Sequence, residues 1–241
     1  MTDAERFRFD LQGFLVRRGV LSPGDVAALN VAIDVLDLPP PGSDIGSQRF
    51  TDFLHVARRF RDLMDHHAVL DVVRETCGPN VRLDHAYGIV MARGTSGLGL
   101  HGGGTPFDPA QHYRADNGRI RTGLVAVQWA LVDHPPGAGG FVCVPGSHKS
   151  AFPLPPTFDR ELAVQVPMAA GDVVIFTEAL THGTLPWQLD DQRRTLLYKY
   201  SPGNSAYSQA QWPEELVAAC TERQRLLLQS PSVGGHRPVV P

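Results

Sequence analysis

Residues 123–133 read GLVAVQWALVD and residues 171–176 read GDVVIF, and both apolar runs indicate buried β-strands. Four further short runs of the same kind, divided by Gly, Pro and Asp, lie at 81–92, 141–144, 162–166 and 194–200. Short apolar runs bounded by turn residues are typical of strands. Because no helices alternate with these runs, they predict an antiparallel sandwich or jelly roll rather than a parallel α/β sheet.

Helical patterns flank the predicted strands. Ser22 precedes Pro23, so the pair can cap and begin a helix, and apolar residues at Val26, Leu29 and Ile33 mark one helical face. Further helical patterns are expected over 53–77 and over 213–229. These patterns predict one domain over residues 1–241, with a mainly helical part at 1–80, a jelly-roll core at 81–201, and a C-terminal helix and tail at 202–241.

The composition excludes several classes of function. The 22 Lys and Arg residues and 25 Asp and Glu residues give a net charge of −3 with no basic block, so no nucleic-acid or membrane surface is expected. The three cysteines form no CxxC pair, which leaves no basis for a disulfide framework or a thiolate zinc site. The charged start MTDAERFRFD does not resemble a signal peptide. We therefore expect a cytoplasmic protein whose partner is a small molecule.

Two histidines and an arginine stand apart as candidates for chemistry. His101 follows a Gly-rich loop and His182 follows the strand at 171–176, and both positions lie where a β-sandwich opens. Two His and one carboxylate are the ligands of many non-haem iron sites. Arg193 and Thr195 are two residues apart on a predicted strand, so they share a face and form a suitable clamp for a carboxylate.

Several longer motifs extend the pattern: FDLQGFLV at 9–16, QWALVD at 128–133, GGFVCVPGSHK at 139–149 and AGDVVIF at 170–176, followed by His182 and Arg193. Together these motifs resemble the phytanoyl-CoA dioxygenase family of iron(II)/2-oxoglutarate-dependent oxygenases. The resemblance implies a mainly β fold with flanking helices, a double-stranded β-helix of the cupin-like jelly-roll type.

The resemblance also implies an enzyme and its cofactors, Fe(II) and 2-oxoglutarate. His101 and His182 would bind iron, while Arg193, assisted by Thr195, would pair with the distal carboxylate of 2-oxoglutarate. Gln128 and Tyr87 are expected from strand parity to face this co-substrate. The implied reaction consumes molecular oxygen, releases succinate and carbon dioxide, and hydroxylates an unactivated C–H bond of a small molecule.

One residue departs from the family pattern. The family motif is His-x-Asp, whereas this chain reads His101-Gly102-Gly103, so the third ligand is missing. Three explanations are open. Asp108 or Glu178 could supply the carboxylate, leaving an oxygenase. Water or a halide could occupy the position at Gly103, as in iron/2-oxoglutarate halogenases. Alternatively, the metal site could have decayed in a protein that only binds a ligand.

Two further expectations concern the surroundings of the site. Arg194 has the opposite strand parity to Arg193 and is expected to face solvent, although a register error of one residue would exchange the two. The polar stretch at 105–121 is predicted to be a lid or a substrate loop.

Overall fold

Antiparallel sheets and short helices make up the computed structural model, which describes residues 1–39, 48–103, 107–108, 110–157, 161–209, 211–235 and 237–240. The helices are α1 (Asp3–Gln12), α2 (Pro23–Asp34), α3 (Arg58–Asp62), α4 (His67–Cys77), α5 (Glu214–Ala218) and α6 (Glu222–Leu227). The strands are β1 (Phe14–Arg17), β2 (Gln48–Phe50), β3 (Arg82–Met91), β4 (Leu98–His101), β5 (Tyr113–Asp116), β6 (Arg119–Thr122), β7 (Val125–Ala130), β8 (Gly140–Cys143), β9 (Val164–Gln165), β10 (Val173–Thr177), β11 (His182–Leu185) and β12 (Arg193–Ser201).

The strands form two main sheets. The larger has the order β1-β10-β7-β12-β3-β2 and the smaller the order β4-β11-β8-β9, while β5 and β6 form a separate hairpin. The described strand pairs are antiparallel, and neighbours in a sheet are often distant along the chain. This is the arrangement of a double-stranded β-helix, so the predicted jelly roll is confirmed.

The larger sheet buries different residues on its two faces because strand side chains alternate. One face packs against the helices and carries the larger hydrophobic core. On this face Phe53 is fully buried and meets three aromatic rings edge-on, those of Phe50, Phe60 and Tyr198. Gly88 lies under Phe50, where any Cβ would overlap the ring. This packing fixes the helices over the sheet and leaves the opposite face free to line the interior of the jelly roll.

The opposite face meets the smaller sheet. Phe176 on β10 and Phe141 on β8 join the two sheets, with ring centroids 4.6 Å apart. They belong to a second hydrophobic core that includes Ala126, Ala130 and Cys143. The second core fills only part of the space between the sheets, and polar residues line the remainder.

The N-terminal part at 1–80 contains α1 to α4, and its two short strands, β1 and β2, join the larger sheet. A strand of three or four residues has too few positions to show alternation, and these strands form because longer strands offer them free edges. α2 begins as predicted, with Ser22 accepting a hydrogen bond from the Asp25 amide at 3.2 Å. The single helix predicted over 53–77 is instead two helices, α3 and α4.

The C-terminal segment also differs in detail. The helix predicted over 213–229 is interrupted near Cys220 and becomes α5 and α6, because Thr221 caps a new helix with a capping box to Gln224.

Among the described residues, no helix has the length and apolar character needed to cross a membrane.

The predicted lid at 105–121 falls partly on residues 105, 106 and 109, which lie outside the described residues. Its later part forms the β5–β6 hairpin. The Tyr113 hydroxyl donates a hydrogen bond to Asp10 at 2.7 Å and so ties this hairpin to α1.

Candidate active site

His101 and His182 are brought together by the pairing of β4 with β11. They lie directly opposite each other in this antiparallel ladder, and their ring centroids are 4.3 Å apart. The pairing joins two residues that are 81 positions apart in sequence. The two histidines therefore form one cluster.

Backbone contacts orient both imidazoles in the same way. His101 Nδ1 lies 2.9 Å from the Gly99 carbonyl, and His182 Nδ1 lies 2.7 Å from the Leu180 carbonyl. A carbonyl only accepts, so each Nδ1 carries a proton and Nε2 is the ring nitrogen left for another partner. Burial lowers the pKa of His182 to about 4, which keeps this ring neutral. A backbone contact at Nδ1 that fixes the ring is typical of histidines that bind a metal through Nε2.

Glu178 is the carboxylate in the same cavity. It follows β10, and its Oε1 lies 3.9 Å from His182 Nε2 while also accepting a hydrogen bond from Lys199 Nζ. Burial disfavours the charged form of Glu178, but the ammonium of Lys199 outweighs it and lowers the pKa to about 2. Glu178 is therefore an anion held beside the two histidines.

Asp108, the other predicted carboxylate, forms a hydrogen bond within its own loop. Its Oδ1 accepts a hydrogen bond from the Ala110 amide at 2.6 Å, and Asp108 does not line the cavity of the two histidines. Within the described ranges, no three His, Cys, Asp or Glu side chains are positioned as they stand to hold a metal ion. The histidine pair is thus an incomplete ligand set, and Glu178 is the nearby acid that could complete it.

Gly103 lies beyond the end of β4. β4 ends at His101, and Gly102 and Gly103 have φ values of +79° and +108°. A Cβ at Gly103 would contact Thr181 Oγ1 at 3.4 Å. The interpretation of Gly103 as a halide or water position requires β4 to continue through residue 103. Because the backbone turns away first, residue 103 does not share a strand face with His101.

The interior face of β12 carries a row of polar side chains. Every second residue of β12 lies on this face, namely Arg193, Thr195, Leu197 and Lys199. The register places Leu197 opposite both Tyr87 on β3 and Gln128 on β7. Arg194 points the other way and pairs with Asp34 at 2.7 Å. The predicted residues Arg193, Thr195, Gln128 and Tyr87 therefore share the face that lines the interior.

Arg193 is fully buried without an acidic partner. Its Nη1 contacts Met91 Sδ at 3.1 Å, whereas its Nε and Nη2 atoms have no hydrogen-bond partner in the described structure. Burial lowers the pKa of this guanidinium to about 10. Thr195 Oγ1 and Gln128 Nε2 are likewise buried without partners. Buried polar groups are normally satisfied, so these orphaned donors indicate a site for an anion.

A cavity of about 190 Å³ is lined by the histidine pair and by part of this interior face, whereas Arg193 and Thr195 on the same face are not among its lining residues. Six of its lining residues are His101, His182, Glu178, Lys199, Gln128 and Tyr87. Lys199 was not among the predicted site residues. The alternation that singled out Arg193 and Thr195 extends to it, but its pairing with Glu178 depends on the fold.

Structures of HygX from Streptomyces hygroscopicus are similar to this chain. The form with nickel and 2-oxoglutarate bound is 26% identical, with a TM-score of 0.76 over 89% of this chain and 94% of HygX. A form that also contains hygromycin B is 27% identical, with a TM-score of 0.73 over 84% and 88% of the two chains. HygX has also been crystallised with iron bound. The predicted cofactors are thus those found in HygX.

A more distant structure supports the fold alone. The non-heme alpha ketoglutarate dependent carbocyclase SnoK from nogalamycin biosynthesis is 19% identical, with a TM-score of 0.68 over 100% of this chain and 97% of SnoK. No curated protein sequence matches this chain. The family model for phytanoyl-CoA dioxygenase matches residues 9–195, which is most of the chain. The chain therefore belongs to the phytanoyl-CoA dioxygenase family.

Proposed function

We propose that this chain is an iron(II)/2-oxoglutarate-dependent oxygenase that hydroxylates a C–H bond of a small molecule. The observation that carries the proposal is one interior that holds two kinds of group. It contains a pair of histidines whose Nδ1 atoms contact backbone carbonyls and a buried arginine without an acidic partner. The first set suits a metal and the second suits a carboxylate of the co-substrate.

The donor set fits iron(II). His101 and His182 would bind through Nε2, and we assign the third position to Glu178 rather than Asp108. Glu178 is already ionised and lies 3.9 Å from His182 Nε2, whereas Asp108 is engaged with its own loop. Lys199 would keep hold of one carboxylate oxygen and so position Glu178. When bound, iron and 2-oxoglutarate together activate oxygen, and the co-substrate becomes succinate and carbon dioxide.

The interior face fits 2-oxoglutarate. Arg193 would pair with the distal carboxylate and Thr195 would donate its hydroxyl to the same group, since both are buried donors without partners. Gln128 and Tyr87 would flank the carbon chain between this end and the histidines. Burial of Arg193 in a region of low dielectric strengthens its attraction for an anion.

The position of Glu178 favours oxygenation over halogenation. The halogenase interpretation requires an open metal position where Gly103 replaces the acid, but residue 103 has left the strand and Glu178 offers an anion instead. The fold alone does not determine the reaction, because a carbocyclase and an epimerase, SnoK and SnoN, also have it. The primary substrate is proposed to be a small molecule, and the three free, buried cysteines suit a reducing cytoplasm.

The test is an anaerobic titration with Fe(II) and 2-oxoglutarate, followed through the visible charge-transfer band of the chelate. We expect the wild-type protein to develop the band. Glu178→Gln should weaken Fe(II) binding about tenfold or more, while the matched control Asp108→Asn leaves it unchanged.

Three other results would count against the proposal. Absence of both iron binding and the band in the wild-type protein would favour a non-catalytic binding protein. A band that shifts with chloride, together with unchanged iron binding by Glu178→Gln, would favour the halogenase. Weaker binding by Asp108→Asn alone would move the third ligand to Asp108.

A further inference from the structure

Another buried polar side chain, that of His134, lies close to Arg193. His134 is fully buried, and neither Nδ1 nor Nε2 has a hydrogen-bond partner in the described structure. Its backbone is fixed by a bridge to Met168, with the His134 amide 2.7 Å from the Met168 carbonyl. An imidazole that is buried with both nitrogens unpaired is costly, so it calls for a partner outside the described side chains.

His134 and Arg193 face the same small space. A Cβ built on Gly140 would lie 3.4 Å from His134 Nδ1 and 3.3 Å from Arg193 Nε. These distances are close to the ~2.7–3.2 Å range of a hydrogen bond, so an oxygen atom over Gly140 can meet both nitrogens. Gly140 has φ +84° and lacks the side chain that would fill this space. The space over Gly140 is therefore shaped for an acceptor that two donors share.

The environment of His134 suits a donor that adds no charge. Burial, together with the positive charge of Arg193, lowers the pKa of His134 to about 3, so the ring is neutral and carries one N–H. The Trp187 ring packs against the imidazole edge-on, with centroids 5.3 Å apart and an interplanar angle of 71°. His134 can thus stand beside the Arg193 guanidinium without repelling it, in an orientation that packing maintains.

We propose that His134 is a co-substrate-binding residue that donates a hydrogen bond to the distal carboxylate of 2-oxoglutarate, opposite Arg193 over Gly140. The proposal rests on the proposed function, because it assumes that this interior binds 2-oxoglutarate. With a donor on either side, the site selects 2-oxo acids that have a carboxylate at the far end. His134 thereby sets specificity for the co-substrate and does not bind the metal.

The test compares two ligands that differ only at the far end. Fe(II)-loaded full-length protein is titrated anaerobically with 2-oxoglutarate and with 2-oxopentanoate, which has a methyl group in place of the distal carboxylate. Affinity is read from the charge-transfer band, which requires no turnover. For His134→Phe we expect 2-oxoglutarate to bind about tenfold to a hundredfold more weakly, as for other hydrogen bonds to charged groups. The affinity for 2-oxopentanoate should stay within about twofold of the wild-type value.

Two further variants separate binding from structure. His134→Asn keeps an N–H donor and should recover much of the lost 2-oxoglutarate affinity. The matched control His148→Phe changes another buried histidine, whose Nε2 contacts the Asp10 carbonyl at 3.0 Å, and should leave both affinities unchanged. If His134→Phe does not fold, His134→Leu replaces it with a smaller side chain.

The outcomes are distinguishable. An equal loss of affinity for both ligands in the His134 variants would show a structural role and overturn the proposal, as would unchanged binding of 2-oxoglutarate. Failure of the wild-type protein to bind either ligand would instead overturn the proposed function, and this inference with it.

Discussion

Replacing Arg193 by Met is expected to stabilise the apo protein while abolishing co-substrate binding. Burial lowers the pKa of Arg193 well below that of a solvated arginine, to about 10. At ~1.36 kcal/mol per pKa unit, burial of this cation costs the folded state about 3 kcal/mol. A methionine fills most of the volume and carries no charge. Allowing for imperfect packing, we expect the free energy of unfolding to rise by about 1–3 kcal/mol.

The pH dependence fixes the sign of this effect. The folded-state pKa lies below the unfolded value, so the charge penalty is fully present below pH 10 and is relieved as the pH rises through 10. At pH 7.5 the buried charge of Arg193 therefore lowers the free energy of unfolding of the wild-type protein by the full amount. Urea unfolding of the metal-free proteins at pH 7.5 measures the difference, which corresponds to a rise in Tm of roughly 2–4 °C per kcal/mol for a chain of this size.

Arg82→Met is the matched control with the opposite expected sign. Arg82 is also buried, but its Nη1 donates to Asp84 at 2.9 Å. Its removal takes away the arginine partner of a buried carboxylate that keeps contacts with His85 and with the Tyr207 and Ser208 amides, which we expect to cost about 1–3 kcal/mol. With iron present throughout and 2-oxoglutarate added at ~100 times its dissociation constant, 2-oxoglutarate should stabilise the wild-type protein by about 2.7 kcal/mol and should not stabilise Arg193→Met. A destabilised apo Arg193→Met protein with an unchanged urea m-value would refute the reasoning.

Three other predictions concern stability and its pH dependence. Phe53→Ala should lower the free energy of unfolding by about 3–5 kcal/mol in urea, because it empties a fully buried aromatic cluster; a loss below about 1 kcal/mol would contradict this packing. Burial lowers the pKa of His148 to about 4, so protonation of this ring alone should lower the free energy of unfolding by up to about 3 kcal/mol as the pH drops from about 6.5 to 4. His148→Gln should flatten that fall in urea midpoints, and parallel pH curves would argue against it. Tyr113→Phe removes the hydrogen bond to Asp10 and should cost about 1 kcal/mol. It should also speed amide exchange in the β5–β6 hairpin, whereas unchanged exchange would show that other contacts anchor the hairpin.

The main strands could be predicted because their signal is local. The apolar runs at 81–92, 123–133, 172–176 and 194–200 correspond to β3, β7, β10 and β12, which are long and buried. Strands β1, β2 and β4 have three or four residues each, and their pairing depends on partners distant along the chain. These three strands were missed although β8 and β9, which are as short, coincide with the apolar runs at 141–144 and 162–166, so shortness alone does not hide a strand, and β2 and β4 lack an apolar run of their own.

The candidate site likewise has a part that the sequence predicted and a part that depends on the tertiary structure. Strand parity was sufficient to place Arg193 with Thr195, and the same alternation extends to Lys199. The pairing of Lys199 with Glu178 was not predictable, since it requires β12 to lie across the interior from the end of β10. The turn at Gly102 likewise depends on packing, because a Cβ there would meet the Glu178 and Leu180 carbonyls at 2.8 and 2.9 Å. The absence of the acid from the His-x-Asp motif was therefore not enough to predict where an open ligand position of the metal would lie.

The difference in burial between the cavity and Arg193 has a kinetic consequence. His85 and Tyr87 line the cavity and are half-buried, whereas Arg193 and its neighbour Met91 are fully buried and do not line it. We expect a ligand of Arg193 to enter through this cavity, where a molecule already bound obstructs it. We therefore expect compulsory-order kinetics, in which 2-oxoglutarate enters first and succinate leaves last. High concentrations of the primary substrate should then inhibit turnover in competition with 2-oxoglutarate.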